Sequence, residues 1–133
     1  MILVDTSVWI DVFRDASGSR GRSLTAALGG EEAVLSRFTQ LELLQGSRDE
    51  KEWTLLESYL DSQDYAETTV STWPEAARIF FDLRRRGLTV RSPIDCCIAQ
   101  LAIEIDLMLF HRDRDFTAIA SLRPLRQVWI DWG

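Results

Sequence analysis

Ile2-Leu3-Val4-Asp5-Thr6-Ser7-Val8-Trp9 is the stretch on which the fold turns. Three consecutive apolar residues without polar alternation fit a short strand buried on both faces of a sheet. Asp5, Thr6 and Ser7 then offer side-chain oxygens for a helix N-cap, and Val8, Trp9, Val12 and Phe13 follow at helical spacing. A buried strand that runs straight into a capped helix is the opening of a parallel α/β unit. The Asp5 carboxylate therefore falls just past the carboxyl end of a strand, where open α/β sheets gather their ligands.

The same alternation recurs outward from this segment. Asp15 to Gly21 is polar and reads as a loop, and Leu24, Ala27 and Leu28 predict a short helix stopped by Gly29-Gly30. Ala33-Val34-Leu35 predicts a second buried strand, and Ser36 caps a helix to Gly46 that turns Leu41 and Leu44 to the core. Glu50 to Tyr59 predicts a further helix, with Trp53, Leu56 and Leu60 on one stripe, and Glu67 to Val70 a strand. Pro74 suits the first turn of a helix ending near Gly87, and Ser92-Pro93 opens another that carries Ile94, Ile98, Leu101, Ala102 and Ile105. Leu107 to Phe110 predicts a strand, Asp115 to Leu122 a short helix, and Val128-Trp129-Ile130 a last strand closed by Trp129 and Trp132. The pattern is that of a three-layer α/β fold with a central, mainly parallel sheet flanked by helices, spanning residues 1–133 as one domain.

At 46% hydrophobic residues and five Trp in 133 positions, the chain has the apolar content for one substantial core. No apolar run approaches the roughly 18 residues needed to span a bilayer. The first residues lack the basic start and long apolar stretch of a signal peptide, so a cytoplasmic location is expected. Cys96 and Cys97 are adjacent, which suits small buried side chains better than a disulfide or a spaced metal pair. A single histidine, His111, cannot build a His-rich zinc site, so any metal should take oxygen ligands, as Mg²⁺ or Mn²⁺ does. The net charge of −6 argues against a generally basic nucleic-acid binder. The basic residues are nevertheless fourteen Arg to one Lys, with Arg84, Arg85, Arg86, Arg91, Arg112 and Arg114 crowded into the second half. Arginine suits bidentate phosphate contacts, although Arg84 to Arg86 also fit a solvated helix end that complements the helix dipole.

Four acids stand at the edges of apolar runs: Asp5, Glu42, Asp95 and Asp113. A carboxylate beside buried apolar positions costs on the order of several kcal/mol unless it is paired or metal-bound. Asp5 and Asp113 each follow a strand, and Asp95 lies in the first turn of a helix, where the dipole favours an anion. Their scatter along the whole chain points to one shared acidic site.

On these residues the chain resembles the PIN-domain ribonucleases, and in particular the VapC-type toxins of VapBC toxin–antitoxin pairs. The resemblance rests on Ile2-Leu3-Val4-Asp5-Thr6-Ser7-Val8-Trp9, Thr39-x-x-Glu42-x-x-x-Gly46, Pro93-x-Asp95-x-x-Ile98-Ala99 and His111-x-Asp113-x-Asp115-Phe116, in order over nearly the full length. It implies a metal-dependent endoribonuclease in which Asp5, Glu42, Asp95 and Asp113 are the catalytic acids and hold one or two Mg²⁺, with Mn²⁺ as a substitute. Asp5 and Asp95 are then direct ligands, and Glu42 and Asp113 bind a second ion or orient the attacking water. Asp115 is the alternative to Asp113, and Thr6 and Ser7 support the first acid. Hydrolysis leaves a 5′-phosphate and a 3′-hydroxyl, with Arg84, Arg85, Arg86, Arg112 and Arg114 as candidates for the RNA phosphates. The implied partners are RNA, a second copy of the chain, and a small VapB-like antitoxin that wraps the toxin and inserts a basic residue into the acidic pocket. Trp9, Phe13, Leu43, Trp53 and Leu56 are candidate contacts for that antitoxin.

Other readings make different demands on the same residues. A phosphoaspartyl phosphatase needs a second Asp two positions after the first, where Ser7 stands, and a receiver domain needs a late Lys, whereas the one lysine is Lys51. A PIN-like binding module that cuts nothing would not need the acidic set intact.

Overall fold

The computed structural model describes residues 1–133. In chain order its elements are β1 (Ile2–Val4), α1 (Thr6–Arg14), α2 (Ser19–Leu28), β2 (Ala33–Ser36), α3 (Arg37–Gln45), α4 (Glu50–Asp61), β3 (Asp64–Ala66), α5 (Thr72–Arg85), α6 (Pro93–Glu104), β4 (Met108–His111), α7 (Arg114–Ala120) and β5 (Gln127–Trp129). The five strands lie in the order β3-β2-β1-β4-β5, and every neighbouring pair is parallel.

Alternation along these short strands feeds two separate cores. Leu3, Val34 and Leu109 turn to the face covered by α5, α6 and α7, with Ile79, Leu83, Ile98, Leu101 and Phe116. Ile2, Val4, Leu35 and Phe110 turn to the opposite face, against Val8, Trp9, Leu24, Leu43 and Leu60. Helices on both faces of a parallel sheet make the three layers expected from the sequence.

The strand order places the site. From β1 the chain builds outward through β2 to β3, then returns to the other flank of β1 for β4 and β5. The direction of winding reverses between β1 and β4, which pair in register from Ile2↔Met108 to Val4↔Phe110. At such a switch point the segments leaving the two strands diverge and open a crevice past their carboxyl ends. Asp5 directly follows β1, and Asp113 lies two residues past the end of β4.

Local differences from the sequence expectations have identifiable causes. Helix α2 begins at Ser19, so the loop is shorter than Asp15 to Gly21: Asp15 accepts from the backbone N–H groups of Ser17 and Arg20 and starts the helix early. On α3, Leu41 is 55% exposed and Leu44 half-buried, while Thr39 and Leu43 face the core. Thr39 and Leu43 are one turn apart, and Leu41 lies about 200° round the helix from Leu43. The third strand is Asp64–Ala66, not Glu67 to Val70. It pairs with β2 only as far as Ser36↔Ala66, because Ser36 leaves the sheet to cap α3 and no partner remains for later residues. Cys96 is buried, and neither cysteine forms a disulfide. No helix is long and apolar enough to cross a membrane.

Candidate active site

Each acid is delivered by the start of a helix or by a helix flank. Asp5 ends β1 and N-caps α1, its Oδ2 accepting from the Ser7 N–H at 3.0 Å and the Ser7 hydroxyl at 2.6 Å. That leaves Oδ1 without a side-chain partner. Ser7 Oγ also accepts from the Arg112 N–H at 2.9 Å, which ties the α1 cap to the segment leaving β4. Asp113 repeats the arrangement as N-cap of α7, its Oδ1 accepting from the Asp115 N–H at 2.9 Å. Asp95 occupies the first turn of α6 behind the Ser92 cap. Glu42 comes from the flank of α3, and its Oε1 accepts from the Thr6 hydroxyl at 2.9 Å, which also lies 2.9 Å from Thr39 Oγ1.

Carboxylate oxygens of Asp95, Asp113 and Asp115 lie within 4.8 Å of one another. Asp5 and Glu42 flank this trio closely enough for their charges to be felt. Burial pushes the Asp95 carboxyl up to about 8, aided by its hydrogen bond with Asp115 and the charges of Asp5, Asp113 and Asp115. Burial also raises the Asp5 carboxyl above its ordinary value, against the lowering effect of the Ser7 hydrogen bonds. Glu42 is raised for the same reason, with the charges of Asp5 and Asp113 adding to it and the Thr6 hydrogen bond opposing. Carboxylates this close resist sharing full ionisation without a counter-charge.

The donor set suits a hard divalent cation. Every free ligand atom is a carboxylate oxygen, and the ring nitrogens of buried His111 are both engaged, Nε2 with Gln127 Oε1 at 2.6 Å and Nδ1 with the Asp113 N–H at 3.1 Å. Burial pushes the Cys96 thiol up to about 12, which keeps it protonated and a poor ligand. Oxygen-only sets of this kind select ions such as Mg²⁺ and Mn²⁺.

The arginines named from the sequence separate into different environments. Arg84, Arg85 and Arg86 are exposed at the end of α5, where Arg84 and Arg85 lie over Phe80 and Phe81, and none pairs with a site acid. Arg112 is committed elsewhere: its Nε is 2.9 Å from Asp11 Oδ2, it donates to the Ile130 carbonyl, and it packs on Trp129 and Trp132. Arg114 is exposed on the first turn of α7, beside Asp113.

Three residues of the site carried no role in the sequence reading. Arg91 pairs with Asp113 at 2.9 Å, Thr39 underlies Thr6, and His111 fixes the backbone of Asp113. Arg91 stood four positions before Asp95 in an arginine-rich half, but nothing local to it announced its partner.

A parallel α/β sheet with carboxylates gathered at its switch point defines the class of protein. Residues 2–122 match the PIN domain family, and the chain belongs to that family. It is 37% identical over 130 residues to "Ribonuclease VapC11" of Mycobacterium tuberculosis, covering 95% of this chain and 96% of that one. VapBC2 from Rickettsia felis, solved bound to a DNA fragment from its promoter, has the same fold at a TM-score of 0.78 and 18% identity, over 98% of this chain and 100% of that one. VapBC-1 from nontypeable Haemophilus influenzae matches at a TM-score of 0.78 and 19% identity, over 99% and 98%.

Proposed function

We propose that this chain is a VapC-type toxin: a metal-dependent endoribonuclease whose single domain, residues 1–133, hydrolyses RNA phosphodiester bonds and is neutralised by a small antitoxin. The observation that carries this reading is the grouping of Asp95, Asp113 and Asp115 within 4.8 Å, with Asp5 and Glu42, from two further segments, close enough for charge to act between them and these acids. Relatives named as VapC ribonucleases support the choice of RNA as substrate.

Asp5, Asp95 and Asp113 would hold Mg²⁺, or Mn²⁺ in its place, with Asp115 beside Asp95 and Asp113. Such an ion supplies a counter-charge for the carboxylates and the phosphodiester and lowers the pKa of water. Ser7 and Thr6 keep the carboxylates aimed, Ser7 leaving Asp5 Oδ1 for ligation and Thr6 leaving Glu42 Oε2 for water. Glu42, half-buried and raised in proton affinity, orients the attacking water through Oε2 and accepts its proton. Exposed Arg114 on the first turn of α7 is positioned for an RNA phosphate.

The antitoxin assignment is supported by a groove of about 720 Å³ between α1, α3 and α4. Phe13, Leu55, Leu56 and Tyr59 give it an apolar lining, and Glu42 forms one margin, so a partner seated there borders the acidic crevice. Of the contact residues named from the sequence, Phe13, Leu43 and Leu56 line this groove. Trp9 and Leu43 are core residues at 5% and 6% exposure, and Trp53 lies outside the lining. A homodimer is the expected assembly of the free toxin, measurable by sedimentation.

The deciding experiment maps RNA 5′ ends after induction of the wild type and of Asp95→Asn. New 5′-phosphate ends are expected with the wild type alone. Equal cleavage by the two forms would remove the assignment.

A further inference from the structure

We propose that Arg91 is a tethered counter-cation of the acidic crevice, competing with a divalent ion for Asp113 and so setting how tightly that ion is held. The inference rests on the reading of these acids as a cation site and concerns the regulation of that site. Arg91 lies in the segment between α5 and α6. Its Nη2 is 2.9 Å from Asp113 Oδ2, and its Nε is 3.8 Å from Asp115 Oδ2. No other basic side chain pairs with Asp5, Glu42, Asp95, Asp113 or Asp115. Arg112 is bound to Asp11 and Arg123 to Asp82, and exposed Arg114 pairs with no acid.

The two ends of Arg91 are held differently. Its backbone N–H donates to Asp115 Oδ2 at 3.1 Å, which anchors the residue at the rim of the crevice. Its side chain is 77% exposed, so the guanidinium can leave the acids and be solvated at once. Asp113 Oδ1 already accepts from the Asp115 N–H. Oδ2 has the Arg91 guanidinium as its partner, so a cation held by Asp113 through that oxygen would have to displace it. A guanidinium there stabilises the metal-free crevice, and the same free energy has to be returned when an ion displaces it. For a solvent-exposed pair the coupling is small, equivalent to about two- to fivefold in affinity, and salt screens it.

The test measures Mn²⁺ binding to the purified full chain without RNA, by electron paramagnetic resonance of the free ion, together with melting in EDTA. Arg91→Gln keeps the backbone anchor and removes the charge. It is expected to bind Mn²⁺ about two- to fivefold tighter than the wild type and to melt at a lower temperature in EDTA. Arg91→Lys should fall between the two on both measures. Asp95→Asn forms the second arm. A wild type that binds no Mn²⁺, or an Asp95→Asn variant that binds it equally well, removes the cation-site reading and this inference with it. Binding that Asp95→Asn weakens but Arg91→Gln leaves unchanged or weaker overturns the counter-cation role alone.

Discussion

At Asp95 burial and the neighbouring acidic charges both oppose ionisation. Its carboxyl moves from the ordinary 3.8 to about 8, burial being the largest cause. Between those values the folded chain keeps a proton there that the unfolded chain has released. The stability contributed by this group is therefore full below about pH 3.8 and is lost as pH rises through about 8. In Asp95→Asn the titration is gone, so the metal-free melting temperature should fall less steeply than in the wild type between about pH 5 and 8.5. Calorimetry in EDTA reads this directly, and a variant that tracks the wild-type slope would refute the assignment. The same proton must leave before Asp95 can ligate, so Mn²⁺ affinity of the wild type should rise across that window. The acids themselves were legible as residues, because a carboxylate at the edge of an apolar run is anomalous in any short window. Arg91 was not, because its meaning lies in a pairing with Asp113 across 22 positions of sequence.

At the scale of elements, caps connect the strands to the acids. Ser36 ends β2, accepts from the Thr39 N–H at 3.2 Å and donates to Thr39 Oγ1 at 3.3 Å. Thr39 in turn abuts Thr6, which holds Glu42. Ser36→Ala should cost about 1 kcal/mol, seen as a lower urea midpoint at an unchanged m-value. Because the same hydroxyls brace Glu42, RNA cleavage should also slow; an unchanged rate at the lower stability would detach the cap from the site. The positions of β1, β2, β4 and β5 and the caps at Asp5, Ser36 and Ser92 could be read locally, since each depends on a few adjacent residues. The inward face of α3 and the place of β3 could not. Rotation of α3 is set by Thr39 and Leu43 packing beneath the sheet, and β3 ends where its neighbour leaves.

For the molecule as a whole, site and core are separable. The two cores are closed by apolar side chains on either face of the sheet, and the acids stand past the strand ends and at helix starts or flanks. Removing divalent ions should therefore stop RNA cleavage while far-UV circular dichroism stays native, and added Mg²⁺ or Mn²⁺ should restore activity. Full activity after exhaustive chelation would exclude the metal mechanism. The groove bordered by Glu42 has the same independence: Phe13 and Leu55 are 42% and 64% exposed, so replacing both with Asp should leave the fold and RNA cleavage in place. Co-expression with an antitoxin should protect RNA from the wild-type chain and no longer from this variant.

The amino-acid sequence by itself determined the alternation of buried strands and capped helices, and it singled out the acids proposed for the site with their oxygen-only chemistry. Periodicity, capping and residue chemistry act within a turn or a strand's length, and so survive in a one-dimensional reading. Only the tertiary structure decided that β1 and β4 are neighbours, which acids share oxygens within 4.8 Å, and that Arg91 stands among them. Those outcomes depend on how two cores pack on opposite faces of one sheet, a balance of contacts between segments far apart in the chain.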